Sequence, residues 1–115
     1  MSSIILYGIK NCDSVKKSRR WLDENSIKYV FHDFRVDGIK KTMIKEFLKN
    51  IKIELLINKR STSWRKLSNK EKVIEEKSDL IELLLDNPTI IKRPIIKSKN
   101  KYLVGFNEKK FKLLK

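Results

Sequence analysis

A continuous apolar run, Ile4-Ile5-Leu6-Tyr7, stops at Gly8, and Asn11-Cys12-Asp13-Ser14 follows with residues able to start a helix. No other feature constrains the fold as much. A short uninterrupted run of β-branched and aromatic residues suits a strand covered on both faces of its sheet. The helical stretch after it reaches Asn25, with Val15, Trp21 and Leu22 on one face and Lys16, Lys17, Arg19, Arg20, Asp23 and Glu24 largely outside it. Asn25 is expected to stop this helix in the left-handed conformation. Residues 28–34 alternate and are rich in Tyr, Val and Phe, so they read as a second strand. Strand, helix and strand make a βαβ unit with a right-handed crossover.

Asp37-Gly38 signals a turn, and residues 42–49 are helical by the spacing of Met43, Ile44, Phe47 and Leu48. A short helix is expected over 54–57 and a polar loop running into a turn over 58–66; residues 70–76 read ambiguously. Residues 78–87 form a helix capped by Ser78 and ended by Asn87-Pro88. Residues 95–97 and 102–104 bracket a hairpin turn, and Asn107 caps a closing helix that turns Phe111 and Leu114 inward. Without the middle helices the order is βαβ then ββα, the thioredoxin-like arrangement. The expectation is an α/β chain with a four-stranded mixed β-sheet, both hairpin strands antiparallel to the first two. It is one domain over residues 1–115, with a helical insertion over about 39–88.

The single cysteine excludes an intramolecular disulfide, and Cys12 with the lone His32 offers too few soft ligands for a structural zinc site. No apolar run approaches the roughly 20 residues of a membrane helix. No signal peptide is visible, so the expected location is cytoplasmic. The net charge of +14 raises the question of nucleic acid. Of the 28 basic residues 22 are Lys, scattered along the chain; Ile occurs 15 times, and Ala and Gln are absent. A/T-rich codons produce this composition without selection for a basic surface, so nucleic acid is not the expected partner.

Cys12 is the residue best placed for chemistry. It lies between a buried strand and a helix start, where unpaired N–H groups and the helix dipole favour a thiolate, and Lys10 adds positive charge. The competing reading is a small buried hydrophobe. A second anchor is Arg93-Pro94 at the start of the third strand, where thioredoxin-like folds place a cis proline beside the catalytic Cys. His32 reads as a strand-end histidine, Trp21 and Trp64 as core or loop anchors, and Asp13 as a charge partner of the helix start.

Four blocks occur in order: Tyr7-Gly8-Ile9-Lys10-Asn11-Cys12-Asp13, His32-Asp33-Phe34-Arg35-Val36-Asp37-Gly38, Asn58-Lys59-Arg60-Ser61-Thr62-Ser63-Trp64-Arg65-Lys66-Leu67 and Lys92-Arg93-Pro94-Ile95. Together they resemble the ArsC/Spx family of arsenate reductase-like thioredoxin folds, above all its YffB-type branch. The resemblance implies Cys12 as nucleophile and Arg60 and Arg93 as binders of an anionic group; Lys10 joins them by its charge, with Asn11 and Pro94 as supporting residues. Guanidinium forks suit oxyanions and carboxylates alike.

Three positions depart from the family pattern. Arsenate reductases carry a His where Gly8 stands and a further Arg on the fourth strand, which residues 101–106 lack. Val15 stands where reductases often have Ser and Spx-type regulators a second Cys. The expected function is therefore a monothiol, glutathione-dependent thiol reductase, an oxidoreductase with no bound cofactor or metal and glutathione as co-substrate. Arsenate ranks lower as a substrate. The alternative is a non-catalytic Spx-like regulator that binds RNA polymerase, or another interaction protein.

Overall fold

The computed structural model describes residues 4–72 and 76–115. In chain order the elements are β1 (Ile4–Gly8), α1 (Asp13–Glu24), β2 (Val30–Asp33), α2 (Lys41–Asn50), α3 (Ile53–Leu56), α4 (Thr62–Arg65), α5 (Asn69–Lys72), α6 (Lys77–Asp86), β3 (Ile95–Ser98), β4 (Lys101–Val104) and α7 (Glu108–Phe111). They fall into two compact units. The chain up to Gly38 together with Arg93–Lys115 forms one, and Ile39–Lys92 forms the other.

The first unit is built on a four-stranded mixed sheet in the order β2-β1-β3-β4. β1 lies parallel to β2, with Leu6 opposite Phe31, and antiparallel to β3, with Leu6 opposite Ile96. β4 is antiparallel to β3 and so runs in the direction of β1. The expectation that both hairpin strands oppose the first two is thereby corrected, because a hairpin reverses the chain between its strands. Leu6, Val15, Leu22, Ile96 and Phe111 are fully buried together. Phe111 meets Trp21 and Phe106 edge-on, each with ring centroids 5.5 Å apart. Each such side chain contributes about 1.5–3 kcal/mol by leaving water.

Several local expectations change. Asn25 has φ −96°, and Ser26 takes the left-handed conformation at φ 55°. The amide of Asn25 instead donates back to the Trp21 carbonyl at 2.8 Å, closing the helix end without a left-handed Asn25. β2 starts two residues later than expected and ends one residue earlier, where the chain turns at Asp33, whose carbonyl accepts from Val36 and Asp37.

In the second unit α2 and α6 pack together, burying Ile44, Phe47, Leu80, Ile81 and Leu84. α6 begins one residue earlier than expected with Glu76 at its cap, so Ser78 lies in the first turn. The stretch expected as a loop contains α4, whose first turn is closed by Ser61 Oγ accepting from the Trp64 amide at 3.1 Å. Trp64 is buried, with Lys59 and Lys72 over its ring. Ser68 and Glu71 form a reciprocal capping box at α5. The ambiguous segment 70–76 is helical to Lys72; residues 73–75 lie outside the described residues. Ile57 bridges to Ile91, and the Ser63 and Thr89 hydroxyls share a hydrogen bond. No helix among the described residues is long and apolar enough to cross a membrane.

Candidate functional site

β1 delivers the chain to Gly8, and residues 9–12 lead into α1. Cys12 is the N-cap residue, extended at φ −138° and ψ 126°, and its carbonyl accepts the first helical bond from Lys16 at 2.9 Å. Its side chain is half-buried and makes no capping hydrogen bond. Asp13 is exposed in the first turn, where its charge opposes the positive end of the helix dipole.

The loop is fixed from two sides. Under it, an added Cβ on Gly8 would stand 2.6 Å from Val15 Cγ2. Two of the departures from the reductase pattern, Gly8 and Val15, are therefore one packing unit: with Val15 seated as it is, position 8 has no room for a side chain. Beside the loop, Asp33 is 5% exposed. Its Oδ2 accepts from the Lys10 backbone N–H at 3.1 Å, and its Oδ1 accepts from the Arg35 N–H at 2.8 Å. Asp33 thus ties the end of β2 to the segment that presents Cys12. The sequence reading missed this role; an acid at the end of a strand, just ahead of a turn, was the available signal.

The β1–β3 register sets Tyr7 opposite Ile95, so the exit of β1 faces the start of β3, where the Arg93–Pro94 bond is cis. Pro94 is buried and Arg93 half-buried. The sheet unit therefore carries Lys10, Asn11, Cys12, Arg93 and Pro94. Arg60 belongs to the second unit, exposed on the turn before α4, with its backbone N–H donated to Asn58 Oδ1 at 3.1 Å. His32 lies on β2, where Nε2–H donates to the Gly38 carbonyl at 2.8 Å and the ring meets Tyr7 and Phe34. That bond and those rings give it a structural place. No group of three or more His, Cys, Asp or Glu among the described residues could hold a metal ion.

Comparison with known proteins places the chain in a family. An uncharacterized protein of Haemophilus influenzae is 44% identical over 108 residues, covering 94% of this chain and 95% of its own. A global transcriptional regulator Spx of Streptococcus agalactiae is 30% identical over 107 residues, covering 91% of this chain and 77% of its own. The solved structure of a YffB protein superposes with a TM-score of 0.90 at 35% identity, over 96% of this chain and 97% of that one. The model of the ArsC family matches residues 7–114, and the chain belongs to that family.

Proposed function

We propose that the chain is a monothiol, glutathione-dependent thiol reductase in which Cys12 is the nucleophile. The observation that carries this reading is Cys12 itself, half-buried at the N-cap of α1 with no capping bond. It stands on a loop held by Gly8, Val15 and Asp33. The Cys12 thiolate attacks the glutathione sulfur of a mixed disulfide. A new S–S bond forms, the old one breaks, and the substrate leaves as a thiolate that takes a proton from water. A second glutathione thiolate then attacks the adduct, releasing glutathione disulfide and free Cys12. Glutathione is the resolving thiol because the chain holds no second cysteine.

In this reading Lys10 and Arg93 hold a carboxylate of glutathione, Asn11 and Pro94 support the loop, and Arg60 is assigned to the anion by its motif. Arsenate is the poorer substrate. Position 8 cannot take the reductases' His while Val15 is in place, and residues 101–106 contain no Arg. Loss of one preorganised donor costs about 100- to 1000-fold in rate. Mass spectrometry after treatment with oxidised glutathione tests the reading. A stoichiometric adduct on the folded protein, absent in Cys12→Ser, is expected; an adduct that forms only after unfolding would reject it.

The Spx relative favours a second reading, an interaction protein of transcription with RNA polymerase as its partner. Recovery of the polymerase α subunit in a pulldown, unaffected by Cys12→Ser, would select it over the enzyme.

A further inference from the structure

We propose that the groove between α1 and the β4–α7 connection is a binding site for a free aromatic amino acid. It stands apart from the thiol-reductase reading and does not depend on it. The groove has a volume of about 320 Å³ and is lined by Lys17, Arg20, Trp21 and Glu24 from α1, by Phe106 and by Glu108. That volume falls at the lower end of the range of small-ligand sites. Positions 17, 20, 21 and 24 recur at helical spacing, so α1 turns one face to the groove. All six residues belong to the sheet unit.

The aromatic part is built in advance. Phe111 is fully buried, and it meets both Trp21 and Phe106 edge-on with ring centroids 5.5 Å apart. Trp21 and Phe106 are only half-buried, so each keeps ring surface for a ligand. A cation, Lys115 Nζ, lies 5.8 Å from the Trp21 centroid without lining the groove. Gly105, at φ 80°, turns the chain into Phe106, and its N–H donates to the Pro94 carbonyl at 2.8 Å. Asn107 caps α7 by accepting from the Lys110 N–H at 3.1 Å, which sets Glu108 in the first turn. The charged part is balanced, two cations against two carboxylates. Among the described residues none of these four side chains makes an ion pair, although Arg20 and Glu24 stand one turn apart. Both signs of charge are therefore open to a ligand. An α-amino acid carries its ammonium and carboxylate on one carbon, which suits a cation and a carboxylate one turn apart, and an aromatic one adds a ring for Trp21 and Phe106. A nucleotide would set its phosphate near Glu24 and Glu108 with no ammonium to offset them.

Titration with L-phenylalanine, followed through the indole N–H resonances of the two tryptophans, tests the site. The Trp21 resonance should shift saturably, with a Kd of about 1 mM or tighter for a ligand of this size. The resonance of Trp64, buried in the other unit, should stay in place. Phenylpropionate lacks the ammonium and phenethylamine the carboxylate, and each should bind about tenfold more weakly, the scale of one charge-assisted hydrogen bond. Glu24→Gln/Glu108→Gln should erase the preference over phenylpropionate, and Lys17→Ala/Arg20→Ala the preference over phenethylamine. All four side chains are exposed, so both variants should keep the Trp21 and Phe106 packing. Equal binding of the three ligands to the wild type would reduce the groove to an apolar surface, and the absence of a saturable shift would mean that it holds no amino acid. Either overturns the site and leaves the reductase reading untouched, whereas a Cys12 that forms no glutathione adduct would reject that reading and leave this site untouched.

Discussion

In the sheet unit, the end of β1 is fixed by contacts from far along the chain. β2 and β3 flank the strand, Val15 packs on Gly8, and Asp33 grips the following loop across 23 residues of sequence. In Ile39–Lys92 the helices are four to ten residues long, and several are closed within a single turn. Ser61 caps α4, Ser68 and Glu71 cap each other, and the Asn50 amide donates to Glu46. The candidate nucleophile stands where long-range restraints converge. A side chain that must meet a substrate reproducibly needs its backbone held from more than one direction, which local caps do not supply.

The contrast predicts larger losses from single changes around β1 than from lost caps. Gly8→Ala sets a Cβ against Val15 and should cost about 1–3 kcal/mol, or ~4 °C of Tm per kcal/mol. Adding Val15→Ala should recover part of that loss as a non-additive double-mutant term; purely additive losses would break the packing unit assigned to the pair. Asp33→Ala leaves the Lys10 and Arg35 amides without their carboxylate and should cost about 1–3 kcal/mol. Hydrogen exchange at the Lys10 amide should speed up, while exchange within α2 stays unchanged. Ser61→Ala should cost only about 1 kcal/mol, measured by urea denaturation. A loss from Ser61→Ala that exceeded that from Gly8→Ala would reverse the comparison.

The smallest expected effect lies at Glu71. The Ser68 backbone N–H, and after it the Ser68 hydroxyl, hold its carboxyl below the usual range. A depressed carboxylate contributes stability that is present above its unfolded pKa and lost as pH falls through its folded value. Glu71→Gln should therefore lower Tm slightly at neutral pH and not in strong acid. An equal shift at both pH values would assign the effect to packing.

The order of elements was legible from the sequence because their signals are local. The apolar run of β1, the alternation before Asp33 and the Asn107 cap each express themselves within a few residues. Cys12, Lys10 and the Arg93–Pro94 pair were legible as site candidates from their places beside these elements. Asp33 was not, because its function depends on the Lys10 amide brought to it by strand pairing. α4 was read as loop, because a four-residue helix held by one serine has almost no periodicity to detect.

By itself the sequence determined a strand ending ahead of a helix that starts at the lone cysteine, a hairpin near the other end, and a strongly basic composition. Hydrophobic spacing and capping residues encode those features locally. Only the tertiary structure decided that Gly8 and Val15 exclude a side chain beneath the Cys12 loop, that Asp33 anchors the loop, and that Lys17, Arg20 and Glu24 of α1 share a groove with Phe106 and Glu108. Those arrangements depend on register and on how closely a helix approaches its strand, and both are fixed by packing between residues distant in the chain.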